Sequence, residues 1–517
     1  MQRRRIKVKS IICLLLAVFL LCGCTQFTNQ TYTPTGDSLI RDDMPTPTNP
    51  TDTTTADITL VYYPDKTMNP YASNDYTNRA LFSLIYQGLF NYDRNYQVQP
   101  VLCKSYSVSR DMRTYVFYLE KATFSNGRPV TAEDVVASFQ QAKASAYYGG
   151  RFSHISSFSV TEDGGVQVRT SVPMENLPLL LDIPIVPADQ VESDNPLGSG
   201  PYMLDTNSMQ PLLRRTNWWS DANMTITAPA ISLYQAKASN QALSQIADYF
   251  KFDGLDLVCV NPCADPYADY MCDYELWSME NGNFLYLACS ADSPLTASGL
   301  RKALTYAIDR DELATSYYRN FGLPATLPAS PRFPYYNQAL ANNYGYDAEK
   351  FAQAVEDAGM TGREITLLVN SQDSLRTQVA QAIAEMLEAG GLKVVVSKKT
   401  GSSYTSALRN RSYDLYLGQT KLSPNMDLSN FFSTAGSLNY GGLSNVSAYY
   451  LSKEALANYG NYYTLHETVM EEGLLCPILF QSYGVFATRG KASYLTPARD
   501  NIFYYSTGKT MSEIRIQ

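Results

Sequence analysis

The sequence predicts an α/β fold with a parallel sheet and helices on its faces. The main observation lies between residues 365 and 417. There ITLLV (Ile365–Val369) reads as a strand. Leu375, Val379, Ala382, Ile383, Met386 and Leu387 then fall on one helical face, and Gly390-Gly391 ends that helix. LKVVVS is a second strand, SSYTSALRN a short helix and YDLYLG a third strand. This β-α-β-α-β order is the pattern of parallel strands joined by crossover helices. A second observation is a set of short alternating runs, YSVS and TYVFYLE, typical of half-buried antiparallel strands. The third is size: 517 residues bound the chain to two or three domains with ample core.

Residues 1–9, MQRRRIKVK, carry five positive charges and precede the apolar run Ile11–Leu21. That run is short for a membrane span and has the proportions of a signal-peptide h-region. Leu21-Cys22-Gly23-Cys24 resembles a bacterial lipobox, which implies cleavage after Gly23 and a lipid on Cys24. The alternative is an uncleaved N-terminal anchor helix. No later window is apolar and long enough to span a bilayer, so the remainder is expected on the extracytoplasmic face of the cell membrane.

Residues 25–55 hold eleven threonines with several Pro, Asp and Asn. Such a segment lacks the apolar surface to fold and reads as a flexible tether over 24–56. The whole chain has 41 basic and 49 acidic residues. Five of the basic residues lie before Cys24, so the chain beyond Gly23 carries a formal −13. Such acidity excludes nucleic acid and anionic lipid surfaces as natural partners. Six cysteines follow Cys24. Cys259, Cys263 and Cys272 cluster, and a disulfide or buried thiols there is favoured over a metal site: the spacing is CxxxC and no histidine is near. No cofactor or metal is implied. Tyrosine, 40 residues, suits either a pocket for varied ligands or an extracytoplasmic surface.

The body opens with the strand DITLVYY (Asp57–Tyr63), and a helical pattern follows over about Tyr76–Tyr86. Asn126-Gly127 marks a tight turn. Thr131 is an N-cap with Asp134 three residues on, so Glu133 and Asp134 favour the helix dipole rather than forming a catalytic pair. GSGPYML (Gly198–Leu204) lacks the lysine and spacing of a phosphate loop. The stretch GQTKLSPNMDLSNFF (Gly418–Phe432) leaves a parallel strand at its carboxyl end, where ligand crevices of open α/β sheets lie.

Several segments, taken in order, resemble one family over nearly the whole body. They are MNPY with YQGLFNYD, the run Gln99–Phe139, GSGPYML, RRTNWWS, SGLRKALTYAIDRDELA (Ser298–Ala314), YDAEKFAQAVEDAGM and HETVMEEGLLCPILF. The set is similar to the family 5 solute-binding proteins of ABC importers, which carry oligopeptides, dipeptides, nickel and some sugars. The resemblance implies a two-lobed, type II periplasmic-binding-protein fold with an extra subdomain in lobe I. Lobe I would span 57–284 with its subdomain at about 87–180, lobe II 285–482, and 483–517 would return to lobe I. Crossings near Asn283–Ser290 and Cys476–Tyr483 would form the hinge.

The same resemblance places cleft-lining residues at Asn74, Asp75, Tyr76, Tyr404, Gly418, Gln419, Thr420, Gln481 and Tyr483. Each has a structural alternative: Asp75 as a helix cap, Tyr404 as a core residue. Peptide-binding members typically have Gly-Trp-x-x-Asp-Tyr after this strand, and the Asp pairs with the peptide's free amine. Here Leu422 stands in the acid's place and the Trp is absent. A buried ammonium without a counter-charge costs several kcal/mol, so amine capture at Leu422 is disfavoured. Asp427 would compensate only with a rearranged loop, or else caps the helix that follows.

The function expected is a membrane-tethered binding component of an importer. It captures a small solute, peptide or peptide-like, between lobes that close on it, and delivers it to ABC permease subunits. A signalling-peptide receptor of the same fold is the alternative. A tethered carboxylate hydrolase is the enzyme reading; it lacks GxSxG and HExxH, and of the two histidines, His154 and His466, the latter is expected on a solvated helix face. No catalytic residue is assigned.

Overall fold

The computed structural model describes residues 58–509 and 513–515, apart from 221, 223, 225, 239–241, 252–253, 264–272 and 493. The signal segment, Cys24, the tether and Cys272 lie outside the described residues, and with them the lipidation and disulfide expectations.

The main sheet has eleven strands. At one end Lys393–Lys399, Glu364–Asn370 and Leu415–Lys421 lie side by side and parallel, as the β-α-β-α-β reading requires. Helix Ser374–Ala389 buries Val379, Ile383 and Leu387 and ends at Gly390. Helix Gly401–Arg409 makes the second crossover. At the other end Thr59–Tyr62 pairs parallel with Ala230–Gln235, followed by Leu212–Arg215 and Tyr202–Asp205. Two long antiparallel strands in the centre, Tyr274–Cys289 and Cys476–Thr488, join these ends. A separate five-stranded sheet contains Cys103–Val108, Thr114–Leu119, Val166–Thr170 and Ile155–Val160, with Glu513–Arg515 on its edge. Helix Ala132–Ala144 packs on that sheet and carries the complete capping box between Thr131 and Asp134. No helix of the described residues is long and apolar enough to cross a membrane.

Two sequence expectations change in detail, at Tyr76–Tyr86 and at His466, and the segment GSGPYML gains a packing role. The pattern at Tyr76–Tyr86 forms two one-turn helices, Tyr76–Arg79 and Phe82–Ile85. In the first of them the Asn78 side-chain amide accepts from Tyr63 N at 2.8 Å and donates to Tyr63 O at 3.0 Å, tying the segment to the first strand. The glycines of GSGPYML serve close packing: a Cβ on Gly198 would lie 1.9 Å from the Ile85 carbonyl oxygen. His466 is fully buried rather than solvated, because helix Tyr462–Glu471 packs the face bearing Tyr462, Leu465 and Val469 inward. Many tyrosines are core residues whose hydroxyls donate to buried carbonyls, as Tyr71 does to Pro184 and Tyr115 to Met174.

Candidate functional site

The two central strands slip in register between Glu280 and Phe284. At this bulge Gly282 has φ 72°. A Cβ there would come within 2.1 Å of Arg499 Nη2, so glycine answers both the left-handed backbone and the close approach. The bulge carbonyls hold two other segments. Gly282 O accepts from Leu422 N at 3.0 Å, and Glu280 O accepts from Asp500 N at 3.1 Å. Leu422 follows strand Leu415–Lys421, whereas Asp500 lies in a tight turn closed by reciprocal backbone bonds between Ala498 and Asn501. That turn brings Arg499 and Asp500 to a cavity also lined by Arg79, from helix Tyr76–Arg79, and by Tyr147 and Arg151, from a second segment.

The result is a buried charge cluster. Lys421 Nζ lies 2.7 Å from Asp500 Oδ2 and donates to the Tyr147 hydroxyl at 2.9 Å. Burial pushes the Asp500 carboxyl up, but Lys421 and Arg499 outweigh it, and the group sits below the usual carboxylate range. Arg151 pairs with Asp182. Arg79 donates to the carbonyls of Pro70 and Ser73 and to the Tyr148 hydroxyl, and its guanidinium lies 3.3 Å from the centre of the Tyr147 ring. Arg499 Nη2 donates to the Leu422 carbonyl. Its Nε and Nη1 have no hydrogen-bond partner among the described residues.

Two cavities flank Arg499. One, of about 100 Å³, is lined by Arg79, Tyr147, Arg151, Asp182, Arg499 and Asp500 together with Tyr86, Tyr92 and other residues. The other, of about 150 Å³, is lined by Thr420, Lys421, Leu422, Asp427 and Asn430, and again by Tyr147, Arg151 and Arg499. Of the second cavity's lining, Asp427 is held from behind: His154 Nε2 lies 3.1 Å from Asp427 Oδ2 and 3.0 Å from Ser429 Oγ. Asp427 Oδ1 accepts from Ser429 N at 2.9 Å. Burial raises the Asp427 pKa, yet the hydrogen bonds and charge of His154 and Ser429 leave it below the ordinary value. No group of side chains suited to hold a metal ion occurs among the described residues.

The predicted positions fall into separate sets. Tyr76 and Tyr483 stack, ring centres 5.2 Å apart, and Asp500 and Arg79 act electrostatically on the Tyr483 hydroxyl, so this pair borders the charge cluster. Asp75 caps helix Tyr76–Arg79 by accepting from Asn78 N at 3.0 Å, and Asn74 is exposed. Gln419 accepts from Gln481 Nε2 at 3.1 Å, and Gln481 Oε1 accepts from Asn283 at 3.4 Å, a polar bridge across the central strands. Thr420 and Leu422 line the larger cavity, though the Leu422 side chain is 3% exposed and belongs to an apolar cluster with Phe431 and Phe432. Gly418 faces the Tyr286 ring, 2.4 Å from where its Cβ would stand. Tyr404 is half-buried on helix Gly401–Arg409, beside Tyr440 and Arg376 rather than the cavities. The sequence reading missed Arg79, Tyr147, Arg151, Asp182, Arg499 and Asp500. An Arg-Asp pair set among apolar residues near the chain's end, ARDNIF, was the one available signal.

A family model described as bacterial extracellular solute-binding proteins, family 5 Middle, matches residues 97–442. The chain belongs to that family. This solute-binding protein is 25% identical over 360 residues to the glutathione-binding protein GsiB of Shigella boydii, covering 64% of this chain and 67% of that one. It is 25% identical over 385 residues to the dipeptide-binding protein of Escherichia coli K12, covering 65% and 70%. The fold is similar to the ABC transporter substrate-binding protein CtaP of Listeria monocytogenes, with TM-score 0.70, 17% identity and coverage of 88% and 99%. It is also similar to NikA of Brucella suis, solved with Fe(III)-EDTA, with TM-score 0.66, 19% identity and coverage of 84% and 95%. The fold is therefore that of the two-lobed periplasmic binding proteins of the family 5 type. The family is substrate-binding rather than catalytic.

Proposed function

We propose that this solute-binding protein is the extracytoplasmic substrate-receiving component of an ABC importer, held at the membrane by a lipid on Cys24. Lobe I comprises 57–284 and 483–517, with a subdomain over about 87–180, and lobe II comprises 285–482. The ligand sits in the cleft at the bulge Glu280–Phe284. The observation carrying this reading is that residues from the segments assigned to different lobes meet beside the two cavities, Lys421 with Asp500 and His154 with Asp427. Contacts of that kind exist only when the halves are together, so a ligand that adds to them shifts the population towards the closed form. Tyr76, Tyr483, Gln419, Thr420, Leu422 and Gln481 border the ligand, with Asn74 and Asp75 at the rim. Gly418 and Tyr404 support the wall.

The relatives bind glutathione and dipeptides, and we infer a small peptide-like solute for this chain. The test is small-angle scattering and thermal denaturation with di- and tripeptides, glutathione and nickel chelates. A smaller radius of gyration and a raised Tm with one class are expected. No compaction with any of them would overturn the reading.

A further inference from the structure

We infer that Lys421 is a built-in plug: its ammonium group fills an ammonium site formed by Asp500 and Tyr147, and the solute presents a group other than a primary ammonium to the two cavities. The inference rests on the solute-binding reading of the cleft and adds which solutes that cleft turns away.

Lys421 is the last residue of strand Leu415–Lys421, so the sheet fixes its backbone. Its Nζ meets two segments distant in sequence. It lies 2.7 Å from Asp500 Oδ2, donates to the Tyr147 hydroxyl at 2.9 Å and stands 4.5 Å from the centre of the Tyr147 ring. A carboxylate, a hydroxyl and an aromatic ring are together the partners that suit an ammonium ion. The Lys421–Asp500 pair also spans the boundary between the two cavities: Lys421 lines the larger, Asp500 the smaller, and Tyr147 both. The cation at that boundary is therefore the protein's own.

The rest of the lining has no acid to spare. Asp182 and Asp500 line the smaller cavity and Asp427 the larger. Asp182 pairs with Arg151, and Asp427 with His154 and Ser429. Arg151 and Arg499 line both cavities. A primary ammonium brought by a solute thus meets two guanidinium ions and finds its one matching site already filled, and a desolvated charge without a partner is costly. Binding there requires displacing Lys421, which exchanges one ammonium for another and gains nothing in charge pairing. An acetylated amine carries no charge and needs no such exchange. Truncating Lys421 empties the site and leaves Asp500 Oδ2 with Arg499 Nε 3.9 Å away, beyond hydrogen-bond range. A small external ammonium ion fits that gap.

The experiment has two arms. The first is calorimetry on the unmodified protein with probes that differ only in a free or acetylated amine: dialanine, trialanine and glutathione, each against its N-acetyl form. At least one acetylated form is expected to bind, with its free amine weaker by tenfold or more, and Lys421→Ala is expected to cut that preference at least tenfold. The second arm is the thermal shift of Lys421→Ala in methylammonium chloride against sodium chloride at equal ionic strength. Methylammonium is expected to raise the Tm of the variant above its value in sodium chloride, and to give the unmodified protein no such rise. Free amines that bind the unmodified protein as tightly as their acetylated forms would overturn the exclusion while leaving solute binding intact. Methylammonium that stabilises the variant no more than sodium does would overturn the ammonium site. Absence of binding by every probe would overturn the exclusion together with the peptide-like solute. Because the first arm needs only the unmodified protein, a variant that fails to fold does not shield the inference.

Discussion

His154 Nε2 lies 3.1 Å from Asp427 Oδ2, and this pair joins the five-stranded sheet's edge to the loop after strand Leu415–Lys421. The Asp427 carboxylate is 6% exposed. It also fixes the first turn of the short helix through Ser429 N. Loss of a hydrogen bond to a buried charged group costs about 1.5–3 kcal/mol. Asp427→Asn is therefore expected to disfavour the closed form and to weaken ligand binding roughly 10- to 100-fold, since ~1.4 kcal/mol is a factor of ten. Calorimetry with whichever solute binds the unmodified protein checks this. An unchanged Kd would show that the pair does not contribute to closure.

Gly282 has a different role, since it lies under the guanidinium. An alanine there meets both a φ of 72° and a Cβ position 2.1 Å from Arg499 Nη2. The backbone alone costs about 1–3 kcal/mol, and the arginine must move. Gly282→Ala is expected to lower Tm and to reduce ligand affinity together. A variant that loses stability with affinity intact would show that the Arg499 position does not matter for binding.

The parallel unit at residues 364–421 was legible because its apolar periods, 2 and 3.6, are local properties. Helix Ser374–Ala389 buries Val379, Ala382, Ile383 and Leu387, four of the residues that pattern singled out. The charge cluster was not legible. Arg79, Arg151, Lys421 and Arg499 come from four distant segments, and only the tertiary fold brings them together. Leu422 was legible as the missing acid, but not the arginine on its carbonyl: a backbone acceptor leaves no trace in residue identity. His466 was readable in principle, since Tyr462, Leu465, Val469 and Met470 form an apolar stripe that includes it. Its polarity suggested water, and packing decided otherwise.

Gly198 illustrates a constraint that looks like a ligand motif and is a packing requirement. Its Cβ would stand 1.9 Å from Ile85 O and 2.7 Å from Ile85 C, both backbone atoms of a one-turn helix. Ser125 N also donates to the Gly198 carbonyl at 2.9 Å, so the loop has little freedom to retreat. Overpacking typically costs about 1–3 kcal/mol, and backbone neighbours put this site at the upper end. Urea denaturation of Gly198→Ala is expected to show a lower midpoint with an unchanged m value.

Burial pushes the His466 imidazole pKa down to about 3, and neither ring nitrogen has a hydrogen-bond partner among the described residues. The unfolded chain, with an ordinary histidine pKa of ~6.5, binds more protons between those values. Stability therefore rises with pH across that window and falls as the solution is acidified from about 6.5 towards 3. At pH 5 the contribution is about 2 kcal/mol relative to pH 7, from ~1.4 kcal/mol per unit of pKa difference. Asp427 and Asp500 have lowered values, so their contributions are lost only below the ordinary carboxylate range, near pH 4 and under. The interval from pH 5 to 7 thus isolates His466 from those two carboxylates. His466→Met keeps an adaptable side chain of similar size without a basic group. Comparing the two proteins by denaturant unfolding at pH 7 and pH 5, the unmodified chain is expected to lose about 2 kcal/mol more than the variant on acidification. Parallel losses would mean that the buried imidazole is not the group that takes up the proton.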